Sequence, residues 1–320
     1  MKILFIGNTR LGDAILSTSL LNYFNNDSTE ITVVCSPLSK EIYDSFSSVK
    51  KLIVVTKKKR GRHWLDVYFT LEGRVWDLVI DLRNTIISRI VRKKKVIRYK
   101  VHSSEEHRVE ALCKLANIIK PISPRIPINY EAEEKASFLR KEYNLKGSII
   151  AIAPVTNWKR KNWPVEKFAL LINKLVDDAI HRKVNINSFI VLGSIEENKD
   201  CERLIKKVNT KNIFNLSGKV NLITLLALLK KCTLFVGNDS GLMHLAAAAE
   251  INTLGLFGPS KDINYSPWGE KSFFLRTKKS YEELVCSKGY NRFDNSTLMD
   301  SLEVDNVYKK CISLLKKKAN

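Results

Sequence analysis

The sequence predicts an α/β protein made of two doubly wound, Rossmann-like domains facing across a cleft, and three observations carry that expectation. Short apolar runs alternate with amphipathic segments along most of the chain, the pattern of parallel βαβ units. The alternation breaks at 121–127, where Pro121, Pro124 and Pro127 cluster, and resumes at 149. At 320 residues the chain is long enough for two domains of ordinary size, each with its own core.

The elements follow in order. Residues 3–6 read as a short buried strand, and 13–24 as an amphipathic helix. A second strand is expected at 31–35, and Ser36-Pro37 is a good start for a helix over 38–46. Strands at 52–55, 78–80 and 96–99 continue the series, and 105–119 has helical periodicity. A charged helix over 131–143 then leads to a link at 144–147. The second series runs strand 149–153, helix 164–178, strand 189–192 and helix 196–208. Helix 222–230, strand 233–236, helix 241–249 and strand 253–257 complete it, and 304–318 reads as a terminal helix with a basic end. The expected domains are therefore 1–145 and 146–302, with a C-terminal helix at 303–320 packing back towards the first domain.

Composition narrows the function. With 44% hydrophobic and 27% charged residues, the chain is neither disordered nor fibrous. Fifty-four Lys and Arg against 33 Asp and Glu give a net charge of +21, which points either to a polyanionic partner or to a uniformly lysine-rich surface. The N-terminal apolar run is too short for a signal peptide, and no stretch is apolar for the roughly 18 residues that a spanning helix needs. Six widely spaced cysteines without a C-x-x-C pair argue against a zinc ribbon or disulfide scaffold and fit reduced cytoplasmic thiols.

Several loops carry candidate chemistry. Gly7 and Gly12 have the glycine spacing of a P-loop, but Asp13-Ala14 stands where that loop needs Lys then Ser or Thr, and G-x-G-x-x-G is absent. What remains is a turn presenting Asp13 at a helix start, either as a first-turn acid complementing the helix dipole or as a general base. The run from Gly237 to His244 follows a strand and opens a helix, where free N–H groups suit a phosphate as well as an ordinary cap. Ser240 and His244 do not form a hydrolase elbow, because the glycine spacing is G-x-x-S-G. The loop from Pro154 to Pro164 carries Lys159, Arg160 and Lys161, a solvated basic loop or a phosphate site. Gly193-Ser194-Ile195-Glu196-Glu197 follows the next strand and places an acid near the same strand ends, to hold ribose or favour a helix start.

Together these segments resemble the glycosyltransferase family 9 enzymes, the ADP-heptose:lipopolysaccharide heptosyltransferases and their relatives. Leu11-Gly12-Asp13 with Ser17-Thr18 is similar to the family's acceptor-side motif, and Lys161-Asn162-Trp163-Pro164 to its K-x-W-P phosphate motif. Asp239-Ser240-Gly241-Leu242-Met243-His244 looks like the D-[ST]-G-x-x-H signature, and Phe257-Gly258-Pro259-Ser260 like the F-G-P-[ST] that follows it. The resemblance implies the two-domain GT-B fold and an inverting transfer that uses no essential metal and no cofactor. It implies Asp13 as catalytic base, with Thr156, Asn157, Lys161, Glu197, Asp239, Ser240, Gly241, Leu242 and His244 around the nucleotide sugar. Gly12, Lys57, Lys58 and Arg60 would lie on the acceptor side. The implied partners are ADP-heptose and an anionic glycolipid such as the lipopolysaccharide core, met at the cytoplasmic face of the inner membrane by peripheral association. The alternatives are a catalytically degenerate glycolipid-binding relative and a basic nucleic-acid-binding protein. The latter would draw on 57–60, 92–95 and 316–318 but has no zinc-finger or RRM signature, so nucleic acid is not an expected partner.

Overall fold

The apolar run after Met1 forms β1 (Lys2–Ile6), in which Ile3, Leu4, Phe5 and Ile6 are all fully buried. A strand apolar on both faces belongs in the middle of a parallel sheet covered by helices. The computed structural model of the protein describes residues 1–99, 105–181, 185–287, 290–291 and 294–316. It divides into two units, Met1–Asn129 and Tyr130–Asn320.

In the first unit β1 is followed by α1 (Leu11–Phe24), β2 (Glu30–Cys35), α2 (Lys40–Asp44), β3 (Val49–Val54) and α3 (His63–Leu71). Then come β4 (Val75–Asp81), α4 (Ile87–Ile90), β5 (Arg92–Arg98) and α5 (Arg108–Leu115). The five strands pair in parallel in the order β3-β2-β1-β4-β5. The expected strand at 96–99 starts earlier, so the basic run 92–95 is part of it. Its place at the sheet edge explains the charge there. Lysines on an edge strand discourage pairing with another chain, and Lys94 also meets Asp77 at 2.7 Å.

The second unit opens with α6 (Tyr130–Glu142), β6 (Ile149–Ala153), α7 (Val165–Ile180), β7 (Ser188–Val191) and α8 (Asn198–Ile205). It continues through β8 (Ile213–Asn215), α9 (Leu222–Leu229), β9 (Leu234–Asn238), α10 (Gly241–Ala248) and β10 (Asn252–Phe257). It ends with α11 (Asp262–Tyr265), β11 (Ser272–Arg276), α12 (Tyr281–Val285) and α13 (Val304–Lys316). Its six strands are also all parallel, ordered β11-β10-β9-β6-β7-β8. In α7 the buried residues Phe168, Leu171, Ile172 and Leu175 recur at helical spacing and form one apolar face against the sheet. Each such side chain contributes roughly 1.5–3 kcal/mol by leaving water.

One expectation about organisation needs correction. The domain boundary lies at 129/130 and not 145/146, because α6 packs on α9 through its narrow Ala132 and Ala136 stripe. The C-terminal helix is built into the second unit's own core. Val307, Cys311 and Leu314 join the cluster that holds Trp163 and Phe168, and Lys174 pairs with Asp305 at 2.5 Å. Residues 317–320, including Lys317 and Lys318 of the last basic run, lie outside the described residues.

All six cysteines are free; five are buried and Cys286 is exposed. Burial pushes the Cys35 thiol up to about 11 and those of Cys201, Cys232 and Cys311 up to about 12. Thiolate is the reacting form, so these groups are inert at neutral pH. Ellman's reagent is therefore expected to titrate one thiol rapidly in the native protein and six in denaturant. Two or more fast native thiols would contradict this burial pattern.

Candidate active site

In an open parallel sheet, ligands bind beyond the C-terminal strand ends where the strand order reverses. In the second unit that point falls between β6 and β9, with β7 and β8 to one side and β10 and β11 to the other. Ala153 and Gly237 are register partners there. A Cβ on Gly237 would stand 2.9 Å from both the carbonyl oxygen and the Cβ of Ala153, so only glycine lets the strands close at this point.

Asn238, fully buried at the end of β9, ties down both ends of the basic loop. Its Nδ2 donates to the Pro154 carbonyl at 2.7 Å, and its Oδ1 accepts from the Trp163 N–H at 3.0 Å. Trp163 is the loop's core anchor, donating from Nε1 to the Leu302 carbonyl at 2.9 Å and lying edge-on to Phe168. Inside the loop, Asn162 Oδ1 accepts from both the N–H and the hydroxyl of Thr156, each at 2.9 Å.

The three cations of this loop diverge. Lys159 is exposed. Arg160 turns inward, donating to the Asn291 carbonyl and lying 3.4 Å from Asp294, so it braces these two residues. Lys161 reaches across to Asp239, with Nζ 2.5 Å from Oδ2. The Asp239 side chain is only 8% exposed and the lysine 24%, so the attraction acts largely out of water.

Asp239 leads directly into α10. Ser240 is extended and makes no side-chain cap, and its Oγ is buried without a hydrogen-bond partner. The first N–H groups of a helix have no intrahelical acceptor and carry its positive end. With Gly241 and Leu242 half-buried at that end, an ammonium and a helix start converge beside β6 and β9. Such a combination of cation and free N–H donors can attract an anionic group. One strand over, Glu197 follows β7 and accepts from the Ser194 N–H at 2.8 Å; burial pushes its carboxyl above the usual range.

The other expected donor-side residues sort differently. The Thr156 hydroxyl is engaged within its own loop, while Asn157 is exposed. His244 is buried one turn into α10, its N–H donating to the Ser240 carbonyl at 3.4 Å.

In the first unit the order reverses between β1 and β4. The loop after β1 passes tightly over Tyr43, where a Cβ on Gly7 would stand 2.6 Å from the phenol oxygen. Asp13 is the third residue of α1, one past Gly12, at a helix end whose Arg10 cap uses no side chain. Its Oδ1 lies 3.9 Å from Nε of Arg108, the first residue of α5. That guanidinium stacks 3.8 Å above the Tyr99 ring. Ser17 and Thr18 are fully buried and donate to the carbonyls of Ala14 and Ile15, so they fasten the helix. Lys57, Lys58 and Arg60 are exposed in the loop after β3, where Lys58 pairs with Asp66 at 2.7 Å.

The sequence reading missed Asn162, Asn238 and Arg108. For Asn238 there was a usable signal, an amide closing an otherwise apolar strand. For Arg108 there was none, since its partner is far away in the chain. Among the described residues no group of three or more His, Cys, Asp and Glu side chains could hold a metal ion, and no helix is long and apolar enough to cross a membrane.

Two parallel α/β units with a cation and a helix start at the switch point are the architecture of GT-B glycosyltransferases. The structure of ADP-heptose LPS heptosyltransferase II from E. coli matches over 100% of both chains, with a TM-score of 0.76 and 18% identity. A glycosyltransferase family 9 structure from Veillonella parvula reaches a TM-score of 0.82 over 99% of this chain and 97% of that one, at 20% identity. The sequence model described as glycosyltransferase family 9 (heptosyltransferase) matches residues 87–294, and the chain belongs to that family. Among curated relatives, lipooligosaccharide heptosyltransferase 2 of Campylobacter jejuni serotype O:6 is 28% identical over 303 residues, 89% of each chain. Lipopolysaccharide heptosyltransferase 3 of E. coli K12 is 22% identical, covering 81% of this chain and 83% of the relative.

Proposed function

We propose that the protein transfers heptose from ADP-heptose to a hydroxyl of a lipopolysaccharide core or related anionic glycolipid, with inversion at the anomeric carbon. The observation that carries this reading is the Lys161–Asp239 pair at the uncapped start of α10. Asp13 takes the proton of the acceptor hydroxyl as its oxygen bonds to the anomeric carbon. The bond from that carbon to the diphosphate breaks, and the electron pair leaves with ADP. Negative charge therefore grows on the diphosphate, where Lys161 and the N–H groups at the start of α10 stabilise it most strongly in the transition state.

Asp239 alone would repel a diphosphate. Paired with Lys161 it sets the position of the ammonium and is left with an oxygen for a sugar hydroxyl. Glu197 would hold the nucleoside, with Ser240 Oγ as a further partner for the donor. The heptosyltransferase names of the full-length relatives support heptose as the sugar. A glycolipid acceptor implies work at the cytoplasmic membrane face by peripheral association.

The test is an assay with ADP-heptose and a heptose-deficient core acceptor, read by mass spectrometry. One added heptose per acceptor is expected, and it should persist in EDTA because Lys161 and the helix start supply the positive charge. ADP-heptose binding without transfer would return the chain to the degenerate, binding-only reading.

A further inference from the structure

The first unit leaves an apolar face uncovered beside its strongest basic loop. Helix α3 packs inward through His63, Val67 and Leu71, all buried. On the opposite face, Leu65 and Phe69 project on successive turns at 58% and 66% exposure. Helix α4 packs beside α3, and Ile86, just before α4, and Ile90, its last residue, are about half exposed. Single exposed apolar residues need no explanation, but Leu65 and Phe69, one turn apart on the same helix face, make a small apolar patch.

The charge around this patch is one-sided. Lys57, Lys58, Lys59, Arg60 and Arg62 precede α3, and all five are exposed. Arg89 is exposed on α4 between Ile86 and Ile90. The acid within α3 is Asp66, which pairs with Lys58, and Glu72 follows the helix. The loop is held against the helix, because His63 Nδ1 accepts the Lys58 N–H at 3.2 Å and Arg60 and Gly61 turn with positive φ. Arg83, which follows β4, lies over the Trp64 ring at 4.9 Å. The first turn of α3 is thus at the same strand-end edge of the parallel sheet from which the Asp13 loop leaves β1.

From this juxtaposition we infer that α3 and the 57–62 loop dock the first unit on an anionic bilayer. Leu65 and Phe69 enter the acyl boundary, and the loop cations lie among lipid phosphates. Charge complementarity selects this occupant. A fixed apolar pair flanked by cations suits an interface that is oily below and negatively charged above, and each basic residue adds attraction within a Debye length. The inference rests on the reading that the acceptor is a membrane glycolipid, because docking by this edge presents Asp13 to a sugar rooted in the bilayer.

The test compares the natural chain with the double variant Leu65→Ser, Phe69→Ser in co-sedimentation with vesicles. One set is phosphatidylglycerol with phosphatidylethanolamine, and the other is phosphatidylcholine alone. The natural chain is expected to bind the anionic vesicles and to bind neutral ones at least about tenfold more weakly. The variant should lose about tenfold on anionic vesicles. Because both positions are exposed, its Tm, ADP binding and transfer to a lipid-free core oligosaccharide should not change. Equal binding of both chains to anionic vesicles would overturn the inference. So would absence of vesicle binding by the natural chain, or a self-associating natural chain whose dimer is all that the substitutions disturb. The function reading fails separately. If the natural chain transfers no heptose to the lipid-free acceptor yet binds vesicles through Leu65 and Phe69, the surface stands and the acceptor assignment falls.

Discussion

Replacing Asp13 with asparagine is expected to lower kcat about 10³-fold while leaving ADP binding unchanged. A positioned general base contributes roughly 10²–10⁴ to the rate, and the amide has the same shape but accepts no proton at neutral pH. Asp13 is in the first turn of α1, so the substitution also removes a favourable interaction with the helix dipole, about 0.3–1 kcal/mol at most. That is too little to unfold the unit. Single-turnover rates and calorimetric ADP titration separate the two roles. A variant with nearly normal turnover would show that Asp13 is only a first-turn acid.

The second large effect is expected at Lys161. Alanine there leaves the Asp239 carboxylate, 8% exposed, without its cation. Breaking a fully buried pair from one side costs about 3–5 kcal/mol, and the partial exposure of Lys161 reduces this to about 2–3. The second unit should melt roughly 5–10 °C lower. ADP affinity should fall about 30-fold, in line with the loss of one charge-assisted contact to phosphate. The double variant Lys161→Ala, Asp239→Asn distinguishes the two losses. Stability should largely return, because no buried charge is left alone, while ADP affinity stays low. Recovery of affinity together with stability would mean that Lys161 serves the fold and does not touch the donor.

The stability of this pair depends on residues whose importance could not be read locally. Lys161 and Asp239 were legible as separate motifs, each following an apolar strand and opening a helix. Their contact was not, because it depends on β6 and β9 being neighbours in the sheet although β7 and β8 intervene in the chain. Asn238 illustrates the same limit. Its amide holds Pro154 and Trp163, and only the parallel register of β6 and β9 brings these groups within hydrogen-bond reach. The loop cations show the converse error. Read along the chain, Lys159, Arg160 and Lys161 form one basic cluster, yet Arg160 is 5% exposed and faces Asn291 and Asp294.

The helices that changed place did so for a related reason. Amphipathic periodicity identifies which face of a helix is apolar, but many apolar faces could receive it. Helix α6 offers only Ala132 and Ala136 between charged flanks, so nothing local announces α9 as its partner. Helix α13 has a stronger stripe, and its assignment to α7 and the second core again came from packing.

By itself the sequence determined the alternating strands and helices, the two parallel sheets they imply, and the loops that carry the chemistry. Those features follow from local periodicity, turn residues and helix starts, which act over a few residues. Only the tertiary structure decided that Lys161 meets Asp239, that Arg108 stands beside Asp13 and that Arg160 turns inward. It alone also decided that Leu65 and Phe69 remain uncovered beside the basic loop. Each of these depends on strand order and on which surfaces the core consumes, properties that arise when distant segments compete for the same buried space.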